Sequence, residues 1–187
     1  NPDACDPLGG CVPLRGGIKL DGSGTTYCTT SFTLVDDLGT RFTTTASHCA
    51  GSPWSHDGIA VGSTKWTQDS ATVDVKIVNV DDPSLWKTTN TIWRPSDESF
   101  RITGVAPTDQ AMVGSWVCNV GATKRVLGHG GGESCGTLTS IDGEAGSWKS
   151  PSWDQMGVAT YESCSGDSGG PVFSPSTHRA FGWNRGR

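Results

Sequence analysis

Two runs rich in β-branched and aromatic residues, 27–35 and 40–45, flank the sequence Asp36-Asp37-Leu38-Gly39. Branched and aromatic side chains fit a pleated, half-buried surface, and an acidic pair followed by glycine is turn chemistry. The segment therefore predicts a β-hairpin, which ends at Thr45-Ala46-Ser47-His48-Cys49. Residues 73–80 alternate, with Val73, Val75 and Ile77 on one face, until Asp81-Asp82-Pro83 stops the run. Further strands are expected at 115–121, 134–141, 157–163, 171–173 and 179–183, with the glycine loop Gly128-His129-Gly130-Gly131-Gly132 between the first two. The polar stretch 93–99 breaks the pattern and divides the chain into two β-rich halves of similar size, as in a double barrel or a sandwich.

Composition strengthens the all-β expectation. Glycine supplies 26 of 187 residues, and Thr, Ser and Val are plentiful. The formal net charge of -5, with no run of Lys or Arg, argues against nucleic acid or an anionic membrane as partner. No apolar run approaches the roughly 20 residues of a membrane span, and Asn1 does not open a signal peptide, so the chain reads as a mature, soluble product.

Seven cysteines without a Cys-x-x-Cys motif point to an oxidising compartment, not to a metal site. Local pairs suggest themselves at Cys5 with Cys11, Cys28 with Cys49, and Cys118 with Cys135, which leaves Cys164 over. The Cys5–Cys11 loop lies in a proline-rich segment, 1–15, read as an extension outside the core.

The chemistry concentrates in Glu162-Ser163-Cys164-Ser165-Gly166-Asp167-Ser168-Gly169-Gly170-Pro171-Val172. Glycines on both sides let the backbone turn sharply and come close to a ligand, leaving the Ser168 hydroxyl as a nucleophile amid backbone N–H groups. Such a serine needs a base. Of His48, His56, His129 and His178, only His48 adjoins a cysteine that would fix it and small residues, Ala46 and Ser47, that leave it room. Asp74, an acid inside an apolar strand, is the candidate for orienting the imidazole; the plainer alternative is a side chain facing solvent from an edge strand.

In the order His48, Asp74, Ser168, with Thr45-Ala46-Ser47-His48-Cys49, Asp74-Val75-Lys76-Ile77-Val78 and Gly166-Asp167-Ser168-Gly169-Gly170-Pro171, the chain resembles the chymotrypsin/trypsin-like serine proteases, and especially their bacterial, streptogrisin-like branch. Val117-Cys118-Asn119-Val120-Gly121 and Ser134-Cys135-Gly136-Thr137-Leu138 resemble the second-barrel disulfide region of that branch. The resemblance implies two six-stranded antiparallel β-barrels, 16–98 and 99–187, the second incomplete. It implies a secreted endopeptidase acting on polypeptides through an acyl-enzyme, without a cofactor or metal. Ser168 would attack, His48 would carry the proton, Asp74 would orient His48, and the N–H groups of Gly166 and Ser168 would form the oxyanion hole. Glu162, six residues before the nucleophile, stands at the base of the family's specificity pocket and implies cleavage after Arg or Lys.

The chain departs from the family in two places. Asp167 needs a cationic partner there; Asn119 stands where the bacterial arginine is expected, and Lys124, Arg125 and Arg15 remain as candidates. Cys164 and the end at Arg187 together lead to the expectation of a C-terminal chain joined through Cys164, released by cleavage after Arg187 or Arg185. A pro-region, zymogen activation or a protein inhibitor are further expectations carried by the resemblance.

Two alternatives differ in class. Gly166-Asp167-Ser168-Gly169-Gly170 also fits the α/β-hydrolase elbow, but no Asp or Glu follows Ser168 to complete that triad. A catalytically silent or carbohydrate-binding module would use some of the eight tryptophans, Trp54, Trp66, Trp86, Trp93, Trp116, Trp148, Trp153 and Trp183, which share no spacing.

Overall fold

The computed structural model describes residues 12–24, 26–70, 73–107, 112–123, 132–145 and 153–185. The first half holds β1 (Lys19–Asp21), β2 (Tyr27–Thr29), β3 (Thr33–Val35), β4 (Arg41–Thr45), β5 (Trp54–His56), β6 (Ile59–Gly62), β7 (Thr64–Asp69) and β8 (Asp74–Asn79). After the short helix α1 (Pro83–Trp86) come β9 (Thr91–Ile92), β10 (Phe100–Arg101), β11 (Gly104–Val105), β12 (Trp116–Val120), β13 (Glu133–Ala145), β14 (Trp153–Ala159), β15 (Pro171–Ser174) and β16 (Arg179–Trp183).

Two four-stranded sheets, β2-β1-β5-β6 and β3-β4-β8-β7, build the first half, and a six-stranded sheet, β11-β16-β15-β12-β13-β14, builds the second. This is the chymotrypsin-like double β-barrel architecture expected from the sequence. Among the described residues every strand pairing is antiparallel except the short one between β11 and β16, and Gly16 forms an isolated parallel bridge to Ile92.

The run 27–35 is not one strand, because it changes sheets. Cys28 pairs with Leu20 in β1, but Ser31 N–H donates to the Thr44 carbonyl and Thr33 pairs with Thr43 in β4. The 36–39 turn forms as patterned: Asp36 Oδ1 accepts from the N–H groups of Leu38 (3.0 Å) and Thr40 (2.8 Å). In β8 the inward face is the opposite of the one that valine alternation implies. Asp74, Lys76 and Val78 are buried on it; on the other face Val75 is buried as well, while Val73 and Ile77 are half-buried, so the start of the strand is covered on both sides. The strand lies between β4 and β7, and its inward charges are satisfied locally. The Lys76 ammonium donates to the Cys49 carbonyl and lies 5.2 Å from the Trp54 ring centroid.

A continuous core runs from Leu14, Ile18, Leu20, Trp54 and Trp86 to Phe100, Cys118, Val120 and Phe173. Leu14 therefore belongs to the core and not to an extension; its N–H donates to the Trp86 carbonyl at 2.6 Å. The polar stretch 93–99 is tied to the second half. Arg94 Nη2 meets Glu133 Oε1 at 2.8 Å, and its guanidinium lies 4.6 Å from the Phe100 centroid and 5.5 Å from that of Phe173. Strands β9 and β10 pair across the proposed boundary, Ile92 opposite Phe100. Disulfides join Cys28 to Cys49 and Cys118 to Cys135. The Cys5–Cys11 pair, the loop around His129, and Lys124, Arg125 and Arg187 lie outside the described residues.

Phe173 is fully buried and packs on Phe100 with ring centroids 5.3 Å apart. Phe173→Ala is expected to lower the unfolding free energy by about 3–5 kcal/mol in a urea titration, a loss typical of deleting a core aromatic ring.

Candidate active site

The site is assembled where the first-half sheets meet the nucleophile loop. Residues 46–49 form a tight turn after β4, with Cys49 N–H donating to the Ala46 carbonyl at 3.2 Å. The bond from Cys49 to Cys28 holds that turn against β2. Strands β4 and β8 pair with Thr45 opposite Lys76, which carries Asp74 alongside the turn.

There the Asp74 side chain, 1% exposed, accepts on both oxygens. Oδ1 takes Ser47 N–H at 2.6 Å, Ser47 Oγ–H at 2.5 Å and His48 N–H at 3.2 Å. Oδ2 lies 2.7 Å from His48 Nδ1. Burial by itself would push this carboxyl up; the hydrogen bonds from His48 and Ser47 and the His48 charge outweigh it and hold it at about 2. Ser47 is thus not a spacer, as its size implied, but a direct partner of the carboxylate. The His48 side chain is 28% exposed, so the imidazole that Asp74 orients is reachable from solvent.

Ser168 follows Gly166 and Asp167 on the loop before β15. Gly166 has φ +96, and a Cβ there would collide with Thr123 Oγ1 and the Tyr27 ring. Gly169 has φ +85, and a Cβ would collide with Thr45 Oγ1. Only glycine fits both places, which is the physical reason for the motif.

Thr29 of β2 ties this loop to the first half. Its N–H donates to the Ser168 carbonyl at 2.8 Å and its Oγ1 to the Gly166 carbonyl at 2.9 Å. The amides of Asp167, Gly169 and Gly170 donate to the carbonyls of Cys164, Asn184 and Asp167. Among the described residues, the N–H groups of Gly166 and Ser168 donate to no backbone carbonyl. Asp167 is fully buried and accepts from Thr123 N–H at 2.9 Å and Cys164 N–H at 2.8 Å.

Sequence patterning placed the strand 179–183 but missed the roles of its last residue and of the two that follow. Trp183 Nε1 donates to the Asp74 carbonyl at 2.6 Å. Asn184 Nδ2 donates to Ser163 Oγ at 2.7 Å and to the Asp167 carbonyl at 3.2 Å. Ser168 Oγ donates to the Arg185 carbonyl at 3.1 Å, while Arg185 Nε lies 3.2 Å from Asp74 Oδ2. No motif flags these residues, because their roles depend on where the strand lands and not on their spacing.

Three other candidates sit as follows. Glu162 is exposed, its N–H donating to Ser134 Oγ at 2.9 Å. Cys164 is a free, partly exposed thiol. Arg15 is buried, with Nη1 donating to the Glu98 carbonyl at 2.5 Å and to Ser99 Oγ at 3.2 Å.

No protein-family model and no curated protein sequence matches the chain. Solved structures do. A glutamic acid specific serine protease, described as using a histidine triad in substrate binding, superimposes with a TM-score of 0.74 at 26% identity, over 89% of this chain and 82% of that one. Nocardiopsis protease gives a TM-score of 0.70 at 22% identity, and Thermobifida fusca Protease A 0.69 at 22%, each over 89% of this chain and 80% of its own.

The depressed Asp74 carboxyl makes a signed prediction. A folded value of about 2, below the ordinary 3.8, means stability that is fully present above that ordinary value and is lost as pH falls through 3.8 towards 2. Urea unfolding is expected to show a loss on the order of 2 kcal/mol across that window, which Asp74→Asn removes.

Proposed function

We propose that this chain, which has the fold of the bacterial chymotrypsin-like serine proteases, is a serine endopeptidase. The observation that carries the proposal is the buried Asp74 carboxylate 2.7 Å from His48 Nδ1, with Ser168 held on the adjoining loop through Thr29 and Arg185. Asp74 fixes the tautomer with the proton on Nδ1, so that Nε2 is the base. On substrate binding, Ser168 Oγ exchanges its hydrogen bond to the Arg185 carbonyl for one to His48 and attacks the peptide carbon. The N–H groups of Gly166 and Ser168 receive the oxyanion, and His48 returns the proton to the leaving amine. Water then repeats the sequence on the acyl-enzyme.

Two disulfides accord with work outside the reducing cytoplasm, and the reading places the enzyme among secreted proteins. Its partners are polypeptides, with Cys164 left for a thiol partner outside the described residues. Substrate preference rests on Glu162, whose exposed carboxylate would pair with an arginine or lysine of the substrate. A carbohydrate-binding face finds no support: the exposed tryptophans among the described residues, Trp66 and Trp116, lie on different sheets.

Hydrolysis of peptide amides bearing Arg, Lys, Glu or Leu before the scissile bond tests both levels. Ser168→Ala and His48→Ala are expected to lower kcat by about 10⁶-fold and Asp74→Asn by about 10⁴-fold. Parent activity that survives Ser168→Ala would refute the mechanism. Preference for Arg and Lys is expected to vanish in Glu162→Gln; a preference for Glu in the parent chain would overturn the specificity and leave the mechanism standing.

A further inference from the structure

Asp74 is touched by a second charged group that the triad does not require. Arg185 Nε lies 3.2 Å from Oδ2, the same oxygen that faces His48 Nδ1. The two side chains are only 14% and 1% exposed. The guanidinium is there because its backbone is pinned. Gly169 N–H donates to the Asn184 carbonyl at 2.6 Å, Asn184 N–H to the Gly170 carbonyl at 2.7 Å, and Ser168 Oγ–H to the Arg185 carbonyl at 3.1 Å. One residue therefore meets the nucleophile with its carbonyl and the acid with its side chain.

We propose that Arg185 is a positioning residue that shares the Asp74 carboxylate with His48 and so sets the pH at which hydrolysis switches on. The proposal rests on the protease reading above. A carboxylate facing a single imidazole lends its whole charge to the protonated ring; a carboxylate also facing a guanidinium lends less. The arginine therefore takes up part of the carboxylate's charge that would otherwise stabilise the protonated, inactive ring.

The other charges around Asp74 do not replace this role. Lys76, two residues along β8, turns its ammonium to the Cys49 carbonyl. Asp69, opposite Asp74 on β7, is an exposed acid that opposes the two cations. Burial draws the arginine down from its ordinary value while Asp74 and Asp69 hold it up, and a guanidinium stays charged throughout the working range of such an enzyme.

The test is the pH profile of kcat/KM for the parent chain, for the neutral variants Arg185→Gln and Arg185→Met, and for Arg185→Lys. The acid limb is expected about one pH unit higher in the neutral variants and close to the parent in Arg185→Lys. Either neutral variant suffices if the other does not fold. An unmoved acid limb overturns the proposal, as does an equal move in Arg185→Lys, which would make the role one of shape alone. NMR titration of the His48 ring in the same proteins reads the coupling without turnover. A parent chain that does not hydrolyse peptides refutes the protease reading; a ring titration that is unchanged by neutralising Arg185 refutes the charge coupling.

Discussion

The structure turns on one buried charge. A carboxylate removed from water is costly unless its lone pairs find donors; Asp74 accepts from Ser47 and from His48 through both backbone and ring, and the Arg185 guanidinium stands 3.2 Å away as an opposite charge. These groups come from two places far apart in the chain, the turn after β4 and the segment after β16. The Asp74 carbonyl is held as well, by the Trp183 indole. Around this one residue the end of the second half meets the first.

The nucleophile is fixed by a second set of contacts with the same logic. Thr29 reaches from β2 to both Gly166 and Ser168, and Asn184 reaches from the end of β16 to Ser163 and Asp167. Backbone and small polar side chains do this work. The glycines at 166 and 169 are the steric condition for that closeness. In the proposed protease, positioning of this kind would hold the reacting groups before a substrate arrives.

Much of this was legible in the sequence because it depends on local pattern. The hairpin around Gly39, the strand 179–183 and the pairs Cys28–Cys49 and Cys118–Cys135 follow from alternation, turn chemistry and spacing. What was not legible depends on landing places. The start of β8 is buried on both faces, so alternation at Val75 did not reveal that Asp74 and Lys76 also point inward; the charges are tolerated only because Ser47, His48 and the Cys49 carbonyl meet them. Short strands such as β1, β5 and β6 have too few residues to show a period. Arg185 stood out in the sequence only as a site of cleavage, and nothing in its neighbours announces a contact with a residue 111 positions earlier.

In the proposed enzyme Ser168, oriented His48 and buried Asp74 act as one working nucleophile. A fluorophosphonate probe reacts with a serine only when a base activates it, which makes labelling followed by peptide mapping the most direct measurement. One adduct per chain is expected, on Ser168, lost when His48 is replaced by alanine. Labelling elsewhere, or none on a folded chain at neutral pH, would contradict it.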